Sequence, residues 1–416
     1  ITAGAGNDTV TITATTTTEA PPPMPVAPRA TPRDPAWAMA NSSVDTGEGN
    51  DILRLRSSAT SRTVLDLKAY GTVASSIDTG SGNDLLEVSV RSAGGSNPDR
   101  IQWGEAYGLQ TSTINTGEGD DSLILSVQGG SSAIGLDGSR TLTGAGHDTI
   151  DIRVEAQGWR NNVKTENVFG NIAVRDRWGR ITSYRYGVVG VRNITVQENN
   201  GVGIAVNNSR VESGDGDDSI YVGAIGSSQG IALQSSQINC GAGNDVVVIE
   251  GLVNNSRIDA GSGDDQVTLF GSGNATVDGG DGDDALSGGD GNDSLSGGNG
   301  NDALTGYGGN DILSGGDGDD LIDGGIGNDT LTGGLGADVF IFNSGDGSAR
   351  ITDFQRGIDR LVFADPSDVR CELRLERVLG PTGSSLSNNS YFFSGSDLLG
   401  VALGVHLTAQ VDGSYS

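Results

Sequence analysis

The sequence is poor in the residues from which thick cores and cross-linked scaffolds are made. Aromatic residues are only 5% of 416, so the chain must pack thin layers of small and β-branched side chains. Its two cysteines, Cys240 and Cys371, are too few for a disulfide framework. A single bridge and two free thiols both stay open, and their separation in sequence favours free thiols. No apolar run approaches the ~20 residues of a membrane-spanning helix, the longest stretch being Leu398 to Leu407. A soluble chain with no transmembrane segment is expected. Basic residues are scarce as well, 25 against 54 acidic ones, giving a formal charge of -29. That balance argues against nucleic acid or an anionic membrane as the principal partner and favours divalent cations. An initiating Met and a signal peptide are missing, and the chain opens in mid-motif at Ile1. A processed or truncated piece of a longer protein is therefore expected.

What the sequence has instead is glycine, 68 residues of it. Such a chain is disordered unless a repeat supplies order. From Gly279 to Ile341 it consists of seven consecutive nonapeptides of the form GGxGxDxUx, where U is a large apolar residue. The sixth positions are Asp284, Asp293, Asp302, Asp311, Asp320, Asp329 and Asp338, and the eighth run from Leu286 to Phe340. Glycines allow positive φ and turn carbonyls toward a metal, the Asp adds a hard anionic oxygen, and the last three residues suffice for one short strand.

The same turn recurs upstream at wider spacing, ending at Asp8, Asp51, Asp84, Asp121, Asp148, Asp218, Asp245 and Asp265. Nearly every turn is followed by alternating apolar residues, as in DILRL and DSLIL, which reads as a strand. Nine residues before each Asp from position 51 on stands a serine: Ser42, Ser75, Ser112, Ser139, Ser209, Ser236 and Ser256. The frame thus predicts a second edge on which hydroxyls have replaced carboxylates. Ala275, nine before Asp284, marks a place where the polar atom is lost altogether.

Successive upstream spacings of 43, 33, 37, 27, 70, 27, 20 and 19 exceed a minimal coil, so surplus chain must leave the stack. The step of 70 predicts a hidden coil with a decayed turn near Asn193. Residues 13–40 read as an extended Pro/Thr arm. Residues 153–192 read as a basic, aromatic insertion, in which Trp159, Arg160, Arg175, Arg177, Trp178 and Arg180 are candidate partner-binding residues.

The nonapeptide resembles the calcium-binding repeat of RTX proteins. The resemblance implies an all-β, right-handed parallel β-solenoid. Residues 1–278 would form a wide, irregular β-helix with one calcium-turn edge, 279–341 a regular β-roll, and 342–416 a C-terminal cap and secretion-signal region. It further implies coils of two nonapeptides, with Ca²⁺ between turns stacked one coil apart. Asp284, Asp302, Asp320 and Asp338 would line one edge and Asp293, Asp311 and Asp329 the other. The upstream turn aspartates from Asp8 to Asp265 would be metal ligands too. Roughly ten or more ions are expected, and about a dozen would bring about +24 against the formal -29. Without calcium the stacked carboxylates should oppose folding, so binding and folding should be one event. Acid should act like a chelator, with stability lost as pH falls through lowered carboxylate pKa values. The stretch FNSGDGSARITDFQRGIDRLVF is similar to the segment that closes RTX rolls before a type I secretion signal.

No catalytic constellation emerges. The GxG turns are followed by strands rather than helices, against dinucleotide binding. GSSQG around Ser228 lies in a coil and lacks the strand-turn-helix of a nucleophile elbow. Neither His147 nor His406 lies in an HExxH motif. The expected function is an extracellular or cell-surface structural protein of a layer, sheath, fibre or adhesin, not an enzyme. In character it resembles RTX surface glycoproteins of cyanobacteria and other Gram-negative bacteria. Self-association is expected, polysaccharide is a candidate partner and nucleic acid is not. The alternatives are the folding and secretion tail of a larger enzyme or toxin, and a polysaccharide-acting β-helix enzyme.

Overall fold

The computed structural model describes residues 1–18, 35–61, 68–93, 104–156, 159–175, 181–199, 202–225, 230–343, 345–363, 369–380, 383–394 and 397–402. Every regular element among them is a strand. The chain winds as a parallel solenoid, because each segment of alternating apolar residues has a copy of itself one coil on and pairs with it in register. Three faces are visited in turn. Ala36–Ala40 begins a 7-stranded return sheet, Ser43–Asp45 lies in the leading sheet that enters each Asp turn, and Ile52–Ser61 lies in a 13-stranded trailing sheet that leaves it.

The core is a set of single-file stacks. Leu53 pairs with Leu86, which pairs with Leu123, and the column continues to Ile322, Phe340 and Leu361. All six are fully buried, so each coil contributes one apolar side chain per column. A chain so short of aromatics builds length rather than thickness. The return sheet ends at Leu252–Asn254, and beyond it the coil narrows to two sheets. The amide bonds between successive turn aspartates record the shrinkage: they span 27 residues at Asp218, then 20, 19 and, from Asp284 to Asp338, 18.

Among the described three-sheet coils, surplus chain leaves at the corner between trailing and return strands. Two expectations are corrected there. The arm is narrower than 13–40, because Thr9–Thr18 pairs along its whole length with Ile52–Ser61 and Ala36–Ala40 is the first return strand. Only residues 19–34 remain, and they lie outside the described residues. Nor does the 70-residue step hide a coil: Thr149–Ala156 pairs directly with Ser219–Ile225, and Asn193 pairs with Thr165 in an antiparallel hairpin of Trp159–Arg175 with Ile181–Asn199. A hairpin satisfies its own backbone hydrogen bonds and needs no place in the stack. The insertion accordingly starts after Ala156 and runs to Asn199 rather than spanning 153–192.

The opposite corner, between return and leading strands, is tight. It holds one left-handed residue per coil, including Asn41, Ala74, Thr111, Asn208, Ser235 and Asn255, with φ of 45° to 49°. At the C-terminal end, Arg360–Phe363 adds to the trailing sheet beyond Val339–Phe342. Asp397–Ala402 then joins the leading sheet by pairing in parallel with Ser348–Ile351, and Gly383–Ser394 and Val369–Gly380 extend it in antiparallel pairings.

Candidate metal centre

Each Asp turn places its carboxylate by the same three means. Glycines such as Gly298 and Gly300, at φ of 122° and 128°, let the backbone reverse within a few residues. The following strand fixes the Asp backbone in the ladder. The Asp Oδ1 then accepts the amide of the Asp one coil earlier: Asp51 N–H to Asp84 Oδ1 at 2.7 Å, Asp148 to Asp218 at 2.7 Å, Asp284 to Asp302 at 2.8 Å. This file runs unbroken from Asp8 through Asp51, Asp84, Asp121, Asp148, Asp218, Asp245, Asp265, Asp284, Asp302 and Asp320 to Asp338. Asp293, Asp311 and Asp329 form a second file on the other edge, headed by Ala275, whose amide donates to Asp293 Oδ1.

Upstream of Ala275 the second edge is a serine file. The amide of Ser42 donates to Ser75 Oγ, Ser112 to Ser139 Oγ and Ser236 to Ser256 Oγ, at 3.1 to 3.3 Å. Each hydroxyl donates in turn to the carbonyl two residues before it, as Ser75 does to Val73 O at 2.8 Å. A hydroxyl can both accept and donate, so this edge is internally satisfied.

The carboxylate files are not. Oδ2 is buried with no hydrogen-bond partner at Asp51, Asp84, Asp121, Asp148, Asp218 and Asp245, and likewise at Asp265, Asp284, Asp293, Asp302, Asp311, Asp320 and Asp338. An unpaired buried carboxylate oxygen is costly and is normally offset by a cation. In the regular turns it packs directly over the first glycine of its own nonapeptide. A Cβ on Gly279, Gly297, Gly315 or Gly333 would collide with the Oδ2 of Asp284, Asp302, Asp320 or Asp338.

Burial pushes these carboxyls up, to about 7 at Asp121, Asp245, Asp284, Asp293, Asp320 and Asp329 and to about 6 at Asp218, Asp265 and Asp338. The backbone donor on Oδ1 pulls the other way and loses. The expectation of lowered carboxylate pKa values is thus reversed for these side chains, because desolvation is the largest effect at each of them.

The donor set fits a hard divalent ion. No group of three or more His, Cys, Asp or Glu side chains converges on one point among the described residues. Carboxylates arrive one per turn, so the remaining ligands must be backbone carbonyls, as oxygen-seeking Ca²⁺ accepts. Residues 271–304 and 305–340 match the RTX calcium-binding nonapeptide repeat, in four copies. The chain carries RTX repeats. Repeats of this family bind calcium, and the match begins early enough to take in the vacated turn at Ala275. No curated protein matches the chain.

The sequence frame missed two features of the RTX edge. Asp359, in GIDRLVF, accepts the Asp338 amide on Oδ1 at 3.2 Å and continues the file one coil beyond the last nonapeptide. Its signal was a Gly-x-Asp followed by alternating apolar residues. Asp353 accepts the amides of Gly333 and Gly334 on its two oxygens, at 3.0 and 2.9 Å. Asp8 differs from the other file members, since its Oδ2 takes the Gly4 amide at 3.2 Å. Among the candidate partner-binding residues, Trp159, Arg160 and Arg175 lie on the hairpin strands, whose side chains are outside the described residues. Arg177, Trp178 and Arg180 lie wholly outside them, as do Ser228 and His406. Cys240 is buried and free; the side chain of Cys371 lies outside the described residues. No helix among the described residues is long and apolar enough to cross a membrane.

Proposed function

We propose that this chain is an extracellular structural protein, a component of a surface layer, sheath, fibre or adhesin, whose solenoid is completed by calcium bound along its two aspartate files after export. The observation that carries this reading is the row of buried, unpartnered Oδ2 atoms, repeated turn after turn along both files. RTX repeats are typical of proteins exported by type I secretion and found outside the cell, where calcium is high enough for sites of about 10⁻⁴ to 10⁻³ M. Coils take up the described chain from its first residues to Phe363, which supports a structural rather than a catalytic role and a kinship in character with RTX surface glycoproteins. Self-association would use the corner at which the hairpin leaves the stack. Electron microscopy and sedimentation in millimolar calcium test this. Filaments or sheets that disperse in EDTA are expected; a monomer at every concentration would leave a folding module of a larger secreted protein as the better reading.

A further inference from the structure

One position changes along the file while the turn around it does not. Five residues before each Asp, on the buried side of the turn, stand Thr46, Thr79, Thr116 and Thr143, then Ser213, Cys240 and Ala260. At Gly279, Gly297, Gly315 and Gly333 the same position is glycine. From Asp51 to Asp338 the side chain therefore shrinks from threonine to nothing, while Ala3 stands at this offset from Asp8 and Phe354 from Asp359.

The hydroxyls form a column of their own. Thr46 Oγ1 donates to Thr79 O, Thr79 to Thr116 O, Thr116 to Thr143 O, Thr143 to Ser213 O and Ser213 to Cys240 O, at 2.9 to 3.1 Å. The column stops there. The same hydroxyls pull against the upward shift that burial imposes on the carboxyl of their own turn, Thr79 at Asp84, Thr116 at Asp121, Thr143 at Asp148 and Ser213 at Asp218, though the Oδ2 of each still stands unpartnered. Each hydroxyl has one proton, so it can serve that carboxylate only by leaving the next coil's carbonyl. Glycine turns offer no such donor, and their Oδ2 rests on bare Cα.

Packing divides the solenoid at the same place. A three-sheet coil buries several large side chains, as Leu86, Val88, Val90 and Leu109 show, and successive coils are tied by Arg54 to Glu87, Lys68 to Glu105 and Arg140 to Glu212. A roll coil buries one leucine or isoleucine per half, such as Leu304 and Leu313.

Resting on the reading that the aspartate files take calcium, we propose that they fall into two zones of calcium demand. The hydroxyl-lined turns from Asp84 to Asp218 hold their fold without the ion, and the glycine-lined turns from Asp284 to Asp338 are obligate calcium sites, with the boundary across Cys240 and Ala260. The N-terminal solenoid is then a preformed platform on which the roll is laid down when calcium is met.

Hydrogen exchange by mass spectrometry on the full chain, over free calcium from EDTA to 10 mM, tests this. Strands within 68–93, 104–156 and 202–225 should be protected throughout, and strands within 285–335 only once calcium is added. Both zones gaining protection at the same calcium concentration would overturn the two-zone proposal and leave the calcium reading standing. No change in either zone would overturn both. The triple variant Thr79→Gly, Thr116→Gly, Thr143→Gly should make protection of 68–156 calcium-dependent, and the matching Thr→Ser triple should not. A glycine variant as protected in EDTA as the parent would show that the hydroxyls do not stand in for the ion.

Discussion

The amide of Ala275 donates to Asp293 Oδ1 at 2.7 Å, the bond that the amide of Asp293 makes to Asp311 Oδ1 at 2.7 Å one coil on. Ala275 therefore occupies the register of a metal aspartate while lacking the carboxylate. Ala275→Asp should add one calcium ion to the second edge, shared with Asp293. With a Kd of about 10⁻⁴ M the gain at 10 mM Ca²⁺ is about 2.7 kcal/mol by mass action. Metal counting on parent and variant checks it; an equal count would contradict the register.

Gly297 tests the opposite change. Its φ is not in the left-handed region, so a side chain is excluded by contact with Asp302 Oδ2 rather than by backbone strain. Gly297→Ala should displace that carboxylate, remove about one ion and lower stability by ~1–3 kcal/mol in calcium. Thermal melts with and without calcium check this, and a variant indistinguishable from the parent in both would contradict it.

Acidity should act in opposite directions with and without the ion. A carboxyl held at about 7 in the metal-free fold, as at Asp284 or Asp320, binds more protons folded than unfolded, where its pKa is about 3.9. Metal-free stability should then rise as pH falls from above 7 toward 4. In calcium the ion needs the ionised form, so the same acidification should release it. Circular dichroism in EDTA at pH 8 and pH 5.5 checks the first half: more β structure at pH 5.5 is expected, and less would contradict the burial argument.

Ala74 and Thr111 hold φ of 46° and 48° at the tight corner, where Asn41, Asn208 and Asn255 stand in other coils. Side chains with a branched or methyl Cβ are strained there, and Asn tolerates the region. Ala74→Asn and Thr111→Asn should each raise stability by about 0.5–1 kcal/mol, as thermal melts can read. A fall in melting temperature for both would contradict the strain.

Much of this was legible in the sequence because the repeat is physical. Asp at a fixed offset from paired glycines, then an apolar residue two positions on, places a turn and a strand without further context, and Ser75 or Ser112 nine residues earlier marks the second corner. The 70-residue step was misread because spacing alone does not distinguish a decayed coil from a self-paired hairpin such as Trp159–Arg175 with Ile181–Asn199. The threonine column escaped because Thr46 and Thr79 stand just outside the glycine pattern. Its meaning appears only when successive coils are stacked. Asp359 escaped because its turn, QRGID, keeps a single glycine.

The most direct test of calcium on the aspartate files is anomalous diffraction from crystals grown in millimolar calcium. Peaks should lie about 2.3–2.6 Å from Oδ2 of Asp284, Asp302 and Asp320 on one edge and of Asp293 and Asp311 on the other. A map featureless at those positions, from crystals that diffract well enough to show the cysteine and methionine sulfurs, would contradict the account.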